Sequence, residues 1–169
     1  LVRISNLPFS DPNRDTSHKK HISNILADVI EAMIGLVYLH GGIDNALRVS
    51  IEMLLLKEYP ALPPSSSCPS DKPALSSHVS RLTGYNFTNH SLLMEAFTHP
   101  STLHSKVPSY QKLEWIGDAV LELVVRSELF KRFPNVVVND LDALKTIIVC
   151  NEALSYMSYR HNLIQYIDH

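Results

Sequence analysis

An all-α fold is predicted by three features of this 169-residue chain. Residues 25–40 and 110–125 are apolar in nearly every direction at helical spacing, as buried helices are. Helix stops are well marked, at Gly41-Gly42 and at Phe133-Pro134. Only Val136-Val137-Val138 reads as strand, and three residues do not change the class.

In order, residues 1–20 are polar and turn-rich and predict an arm or loop. Ser23 or Asn24 is placed to cap the helix over 25–40, and Gly41-Gly42 is placed to end it with a left-handed residue. Asp44 or Asn45 opens a second helix to about Lys57, expected to run antiparallel to the first. Residues 58–79 are rich in Pro and Ser and read as a linker, with helix resuming near Ser77. Asn86-Phe87-Thr88-Asn89 is a turn with a cap for a short helix over 91–97. A polar loop, 101–109, leads to the central helix from Tyr110 to Phe133. One or two helices follow from Asp140 to about His161, with Leu141, Leu144, Ile147, Ile148, Leu154 and Met157 on the apolar side, and a last turn covers 163–167.

Chemistry concentrates on the two apolar helices. Glu114, Asp118 and Glu122 fall at i, i+4 and i+8, a stripe of like charges on an element otherwise fit for burial. Unpaired, each costs several kcal/mol to desolvate, whereas a hard cation such as Mg²⁺ takes carboxylate oxygens. Asp28 and Glu31 repeat the pattern at i, i+3. Each helix also carries a glycine near its acids: Gly35 lies one turn beyond Glu31, and Gly117, between Glu114 and Asp118, costs about 1 kcal/mol of helix propensity. A missing side chain there admits a neighbouring helix or a ligand. Two such helices predict a metal site built between them.

Composition narrows the classes. A net charge of −2 is not the footprint of a strong nucleic-acid binder, so any such contact needs local cations or metal ions. Cys68 and Cys150 lie in unlike contexts and read as free thiols, which predicts a reducing, intracellular setting in cytoplasm or nucleus. The nine histidines lack zinc-helix spacing, and no stretch approaches a membrane span or signal-peptide layout. The chain opens on Leu and closes just after an apolar helix, as a fragment would.

Tyr110-Gln-Lys-Leu-Glu-Trp-Ile-Gly-Asp-Ala-Val-Leu121 closely resembles the signature helix of the ribonuclease III family. Residues 87–101, ending Thr-His-Pro-Ser, resemble the segment before it; Lys145–Leu154, with Asn151-Glu152, resembles a later helix. Leu26-Ala-Asp-Val-Ile-Glu-Ala-Met-Ile-Gly35 resembles the family's other catalytic helix. The order is reversed for one such domain. It fits the end of a first ribonuclease III domain (1–57), a linker (58–79) and the start of a second (80–169), as in the tandem domains of Dicer-like proteins. The resemblance implies Mg²⁺-dependent (or Mn²⁺-dependent) hydrolysis of double-stranded RNA, with Glu114, Asp118, Asp28 and Glu31 as catalytic metal ligands. One complete site then requires the two segments to pack as a permuted domain, or two copies to complement each other. Asn24 departs from the lysine that Dicer domains frequently place there, with Lys19 or Lys20 as possible substitutes.

Trp115 has two readings, the aromatic that plugs a partner domain in the family's dimer or an ordinary core residue. Asp140 and Asp142 lie near an auxiliary acid of some relatives but read better as solvated loop acids. His99 and Asn151 read as backbone-fixing residues. The competing function is a catalytically inactive module of the same fold, kept for dimerisation or RNA binding. No membrane association is expected.

Overall fold

The computed structural model describes residues 16–54, 72–102 and 106–168, and its described part is helical throughout apart from turns and one isolated bridge, Thr98 with Asp168. Helix α1 spans Thr16–Leu54, α2 Lys72–Thr83, α3 His90–Glu95, α4 Gln111–Arg132, α5 Val138–Ile148 and α6 Asn151–Arg160, with a 3-10 turn over Leu163–Tyr166. Val138, expected in the strand-like run, is the first residue of α5.

Helix α1 begins before the expected cap at Ser23, since Lys19 and Lys20 are good helix formers. The anticipated break falls at Gly42, whose φ of 73° takes it out of the helix. No loop separates the halves, because helical geometry resumes at once. Asn45 Nδ2 donates to the Gly41 carbonyl at 2.8 Å and so satisfies an acceptor the break would strand. The segment His21–Met53 is, contrary to expectation, long and apolar enough for a membrane span by length and composition. Here it is the central core helix, with over half of its most apolar stretch buried and Leu26, Val29, Ile30, Met33, Ile34, Leu36 and Val37 fully enclosed.

Helix α2 opens at Lys72, inside the stretch read as linker. Pro73 is tolerated in a first turn, where its missing N–H has no helical acceptor, and Leu75 and Val79 are buried. The remainder of that linker, through residue 71, lies outside the described residues. Arg48 reaches from α1 to the Thr83 carbonyl at 3.0 Å and ties down the end of α2. Asn89 caps α3 as expected, its Oδ1 accepting from Leu92 N at 3.2 Å.

The body of the fold is α1 packed between α4 and α6. The approach of α1 to α4 is set by the two glycines. A Cβ on Gly117 would fall on the Glu31 carbonyl, and one on Gly35 would fall on the Leu113 carbonyl. Backbone therefore meets backbone at the crossing, and no side chain larger than hydrogen fits there.

Helix α4 departs from the expectation of burial all round. It buries Leu113, Gly117, Val120, Leu121, Val124, Val125 and Leu129, while Trp115, Leu123 and Phe130 stand exposed. Its buried residues lie on the face toward α1. Helix α5 buries none of its residues and is pinned to α4 by charge. Lys145 Nζ lies 2.9 Å from Glu122, and Arg126 lies 3.3 Å from Asp142.

Candidate metal centre

Two helices bring the acids together. Asp28 and Glu31 face α4 from α1, and Glu114 sits in the first turn of α4 opposite them. One carboxylate oxygen from each of Asp28, Glu31 and Glu114 lies within 4.8 Å of the other two. The glycine crossing places them there, since Gly117 touches the backbone of Glu31 itself. Asp118, one turn beyond Glu114, is solvent-exposed at the edge of this group and outside that tight set of three. Its charge still reaches Glu31 and Glu114. Glu122, the third acid of the stripe, does not join: Lys145 and Arg126 neutralise it instead.

The electrostatics suit a divalent cation. Burial, then the charges of Asp118, Asp28 and Glu114, push the Glu31 carboxyl up to about 8. Burial, with Asp28 and Asp118, also raises Glu114. Asp28 is raised by burial, against the opposing pull of a hydrogen bond from Tyr110 and the nearby His99 and His21. Like charges this close resist joint ionisation. A donor set of partly buried carboxylate oxygens suits a hard divalent ion, which would remove the conflict.

Trp115 is 79% exposed, so the core reading fails for it. Asp140 and Asp142 are both exposed, and Asp142 is engaged by Arg126 rather than by the acid cluster. Asn24 accepts from Asn151 Nδ2 at 3.0 Å, joining α6 to α1 one turn before Asp28. His99 orders its own corner, Nδ1 accepting from Ser101 N at 3.0 Å. The side chains of Lys19 and Lys20, and all of Cys68, lie outside the described residues; Cys150 is a free thiol.

Sequence reasoning gave Tyr110 no role, yet its hydroxyl donates to Asp28 Oδ2 at 2.8 Å. The available signal was its place one turn before Glu114, at i−4 on the acid stripe.

Residues 111–169 match the family described as Ribonuclease III domain. Protein Dicer of Schizosaccharomyces pombe is 34% identical over 157 residues, which cover 85% of this chain and 11% of that protein. Dicer-like protein 1 of Neosartorya fischeri is 34% identical over 155 residues, 80% of this chain and 10% of the relative. Endoribonuclease Dicer homolog 4 of Oryza sativa subsp. japonica is 28% identical over 181 aligned residues, 98% of this chain and 11% of the relative. The chain thus spans about a tenth of the length of these curated relatives. No solved structure matches it.

Proposed function

The chain belongs to the ribonuclease III family, and from that premise we propose that it serves a Dicer-like endoribonuclease which cleaves double-stranded RNA with Mg²⁺ or Mn²⁺. Asp28, Glu31, Glu114 and Asp118 are assigned as its catalytic metal ligands. One observation carries this reading: acids from two segments more than 80 residues apart meet over a backbone-to-backbone crossing. A divalent ion held there supplies the positive charge that steadies a phosphodiester under attack. The chain's own work is to fix the separation of the carboxylates, through Gly35 and Gly117, and to keep them ionised beside the ion. Asp118, at the open edge, completes the set toward solvent.

In support of a tandem arrangement, one alignment to the rice relative runs through both acid-bearing segments in this order. Residues 1–57 are read as ending one ribonuclease III domain and residues 80–169 as opening the next, across 58–79.

The test is Asp118→Asn. An exposed position tolerates the change, so the fold and the metal-free melting temperature are expected to hold or improve. Cleavage of double-stranded RNA should drop by at least about 100-fold, the upper end of what even an outer-shell change costs a metal site. Parental cleavage by the variant contradicts the assignment.

A second reading, a pairing module without chemistry of its own, is favoured by the outward face of α4. Trp115, Leu123 and Phe130 line it, and Val137, Val138 and Ile147 of the neighbouring α5 region are also exposed. We assign this face to pairing with another ribonuclease III domain, in the same chain or a second copy, with Trp115 as the aromatic anchor. Trp115→Ala is expected to weaken self-association by about 2 kcal/mol, roughly 30-fold, while leaving the melting temperature of the monomer unchanged. Sedimentation equilibrium reads the first and a thermal scan the second. Unaltered association would remove Trp115 from the interface.

A further inference from the structure

Tyr110 is almost fully enclosed, 2% exposed, at the residue before α4. Its phenol crosses to α1 and donates to Asp28 Oδ2 at 2.8 Å. The ring is held from behind by the Thr-His-Pro-Ser corner. Tyr110 N donates to the Thr98 carbonyl at 3.0 Å, and the His99 ring meets the Tyr110 ring edge-on with centroids 5.8 Å apart. That corner is itself anchored, because His99 N and Thr102 Oγ1 donate to the Asp168 carbonyl at 2.8 and 2.9 Å. Asp168 N donates back to Phe97 O at 2.9 Å. Packing alone would be served as well by phenylalanine, which brings no hydroxyl to desolvate. The hydroxyl is satisfied by a carboxylate oxygen of Asp28, one of the three acids of the metal centre.

We propose that Tyr110 is a positioning residue for the divalent-ion site: it holds the Asp28 carboxylate toward Glu31 and Glu114, and the His99 corner holds Tyr110. The proposal rests on the metal reading above. Outer-shell donors of this kind orient a ligand and favour its charged form. For Asp28 the donated hydrogen bond counters burial, which works in the opposite direction.

The experiment is a Mn²⁺ titration followed by electron paramagnetic resonance, on the full chain without RNA. Tyr110→Phe should bind Mn²⁺ 10–100-fold more weakly than the parent. Because the effect passes through Asp28, adding Tyr110→Phe to Asp28→Asn should change affinity by less than about 2-fold. Equal losses in the two backgrounds, or parental affinity in Tyr110→Phe, overturn the proposal. A second measurement avoids any folding defect: 3-fluorotyrosine at position 110 should show a ¹⁹F shift on addition of Mg²⁺ that Asp28→Asn abolishes. An unchanged ¹⁹F signal also overturns it. A parent that binds no Mn²⁺ removes the metal reading itself, which is a different failure from a parent that binds and a variant that binds equally.

Discussion

Gly117→Ala is expected to destabilise the fold by about 3 kcal/mol, because an added Cβ there meets backbone more closely than at any other glycine. In an isolated helix the same change is favourable by about 1 kcal/mol, because alanine is the better helix former. The sign of the measured change therefore reports the crossing directly. A Cβ at this position meets the Glu31 carbonyl carbon and oxygen and comes within 2.9 Å of Gly35 N, all backbone atoms that no rotamer change can clear. The helices must separate, and the buried contacts of Leu113, Val120 and Leu121 against α1 loosen with them. Urea unfolding of the two proteins checks it. A variant as stable as the parent would mean that α1 and α4 do not meet here.

Glu31→Gln carries the second large effect, and its sign depends on pH and on metal. In the folded chain the Glu31 carboxyl keeps its proton up to about 8, whereas in the unfolded chain it ionises near 4.5. A raised folded value means that the stabilising influence of the protonated form is complete below about 4.5. It is lost progressively as pH rises through about 8. Without divalent ions the parent should therefore lose stability between these limits, and Glu31→Gln should lose less. At pH 8 the variant is expected to be more stable by about 1–2 kcal/mol, a figure reduced for the solvent that still reaches this partly buried group. With Mg²⁺ the order reverses. The parent gains by mass action, as any ligand of the folded state makes it do, and the variant gains little. Thermal scans at pH 5 and pH 8, each with and without Mg²⁺, expose all four arms. Identical pH profiles for parent and variant would show that Glu31 does not face the other acids.

Local elements were legible because each is written in neighbouring residues. The break at Gly42, the cap at Asn89 and the stop after Arg132 follow from glycine, asparagine and Phe133-Pro134. The acid pairs were legible for a related reason, since carboxylates stand out on apolar helices and helical period puts them on one side. Gly117 pointed to a close approach, although spacing alone could not say that it and Gly35 would each meet the other's helix. What stayed hidden depends on distant parts of the chain. Glu122 lost its place in the site to Lys145, 23 residues away on α5. Tyr110 gained one through Asp28, 82 residues away. Periodicity marked α4 as apolar all round, but it cannot tell which apolar face finds a partner; Trp115 and Phe130 are exposed because α1 covers only one side. Helix α2 began early because buried Leu75 and Val79 outweigh the Pro and Ser around them.

The central claim is that Asp28 and Glu31 on α1 and Glu114 on α4 serve one ion. Mn²⁺ titration of Glu31→Gln and of Glu114→Gln beside the parent tests it most directly. One shared site predicts that either substitution, from either segment, removes the same high-affinity ion seen in the parent, and that combining them removes nothing further. If Glu31→Gln abolishes one bound ion while Glu114→Gln leaves it in place, the two acid pairs do not share a site, and the claim is wrong.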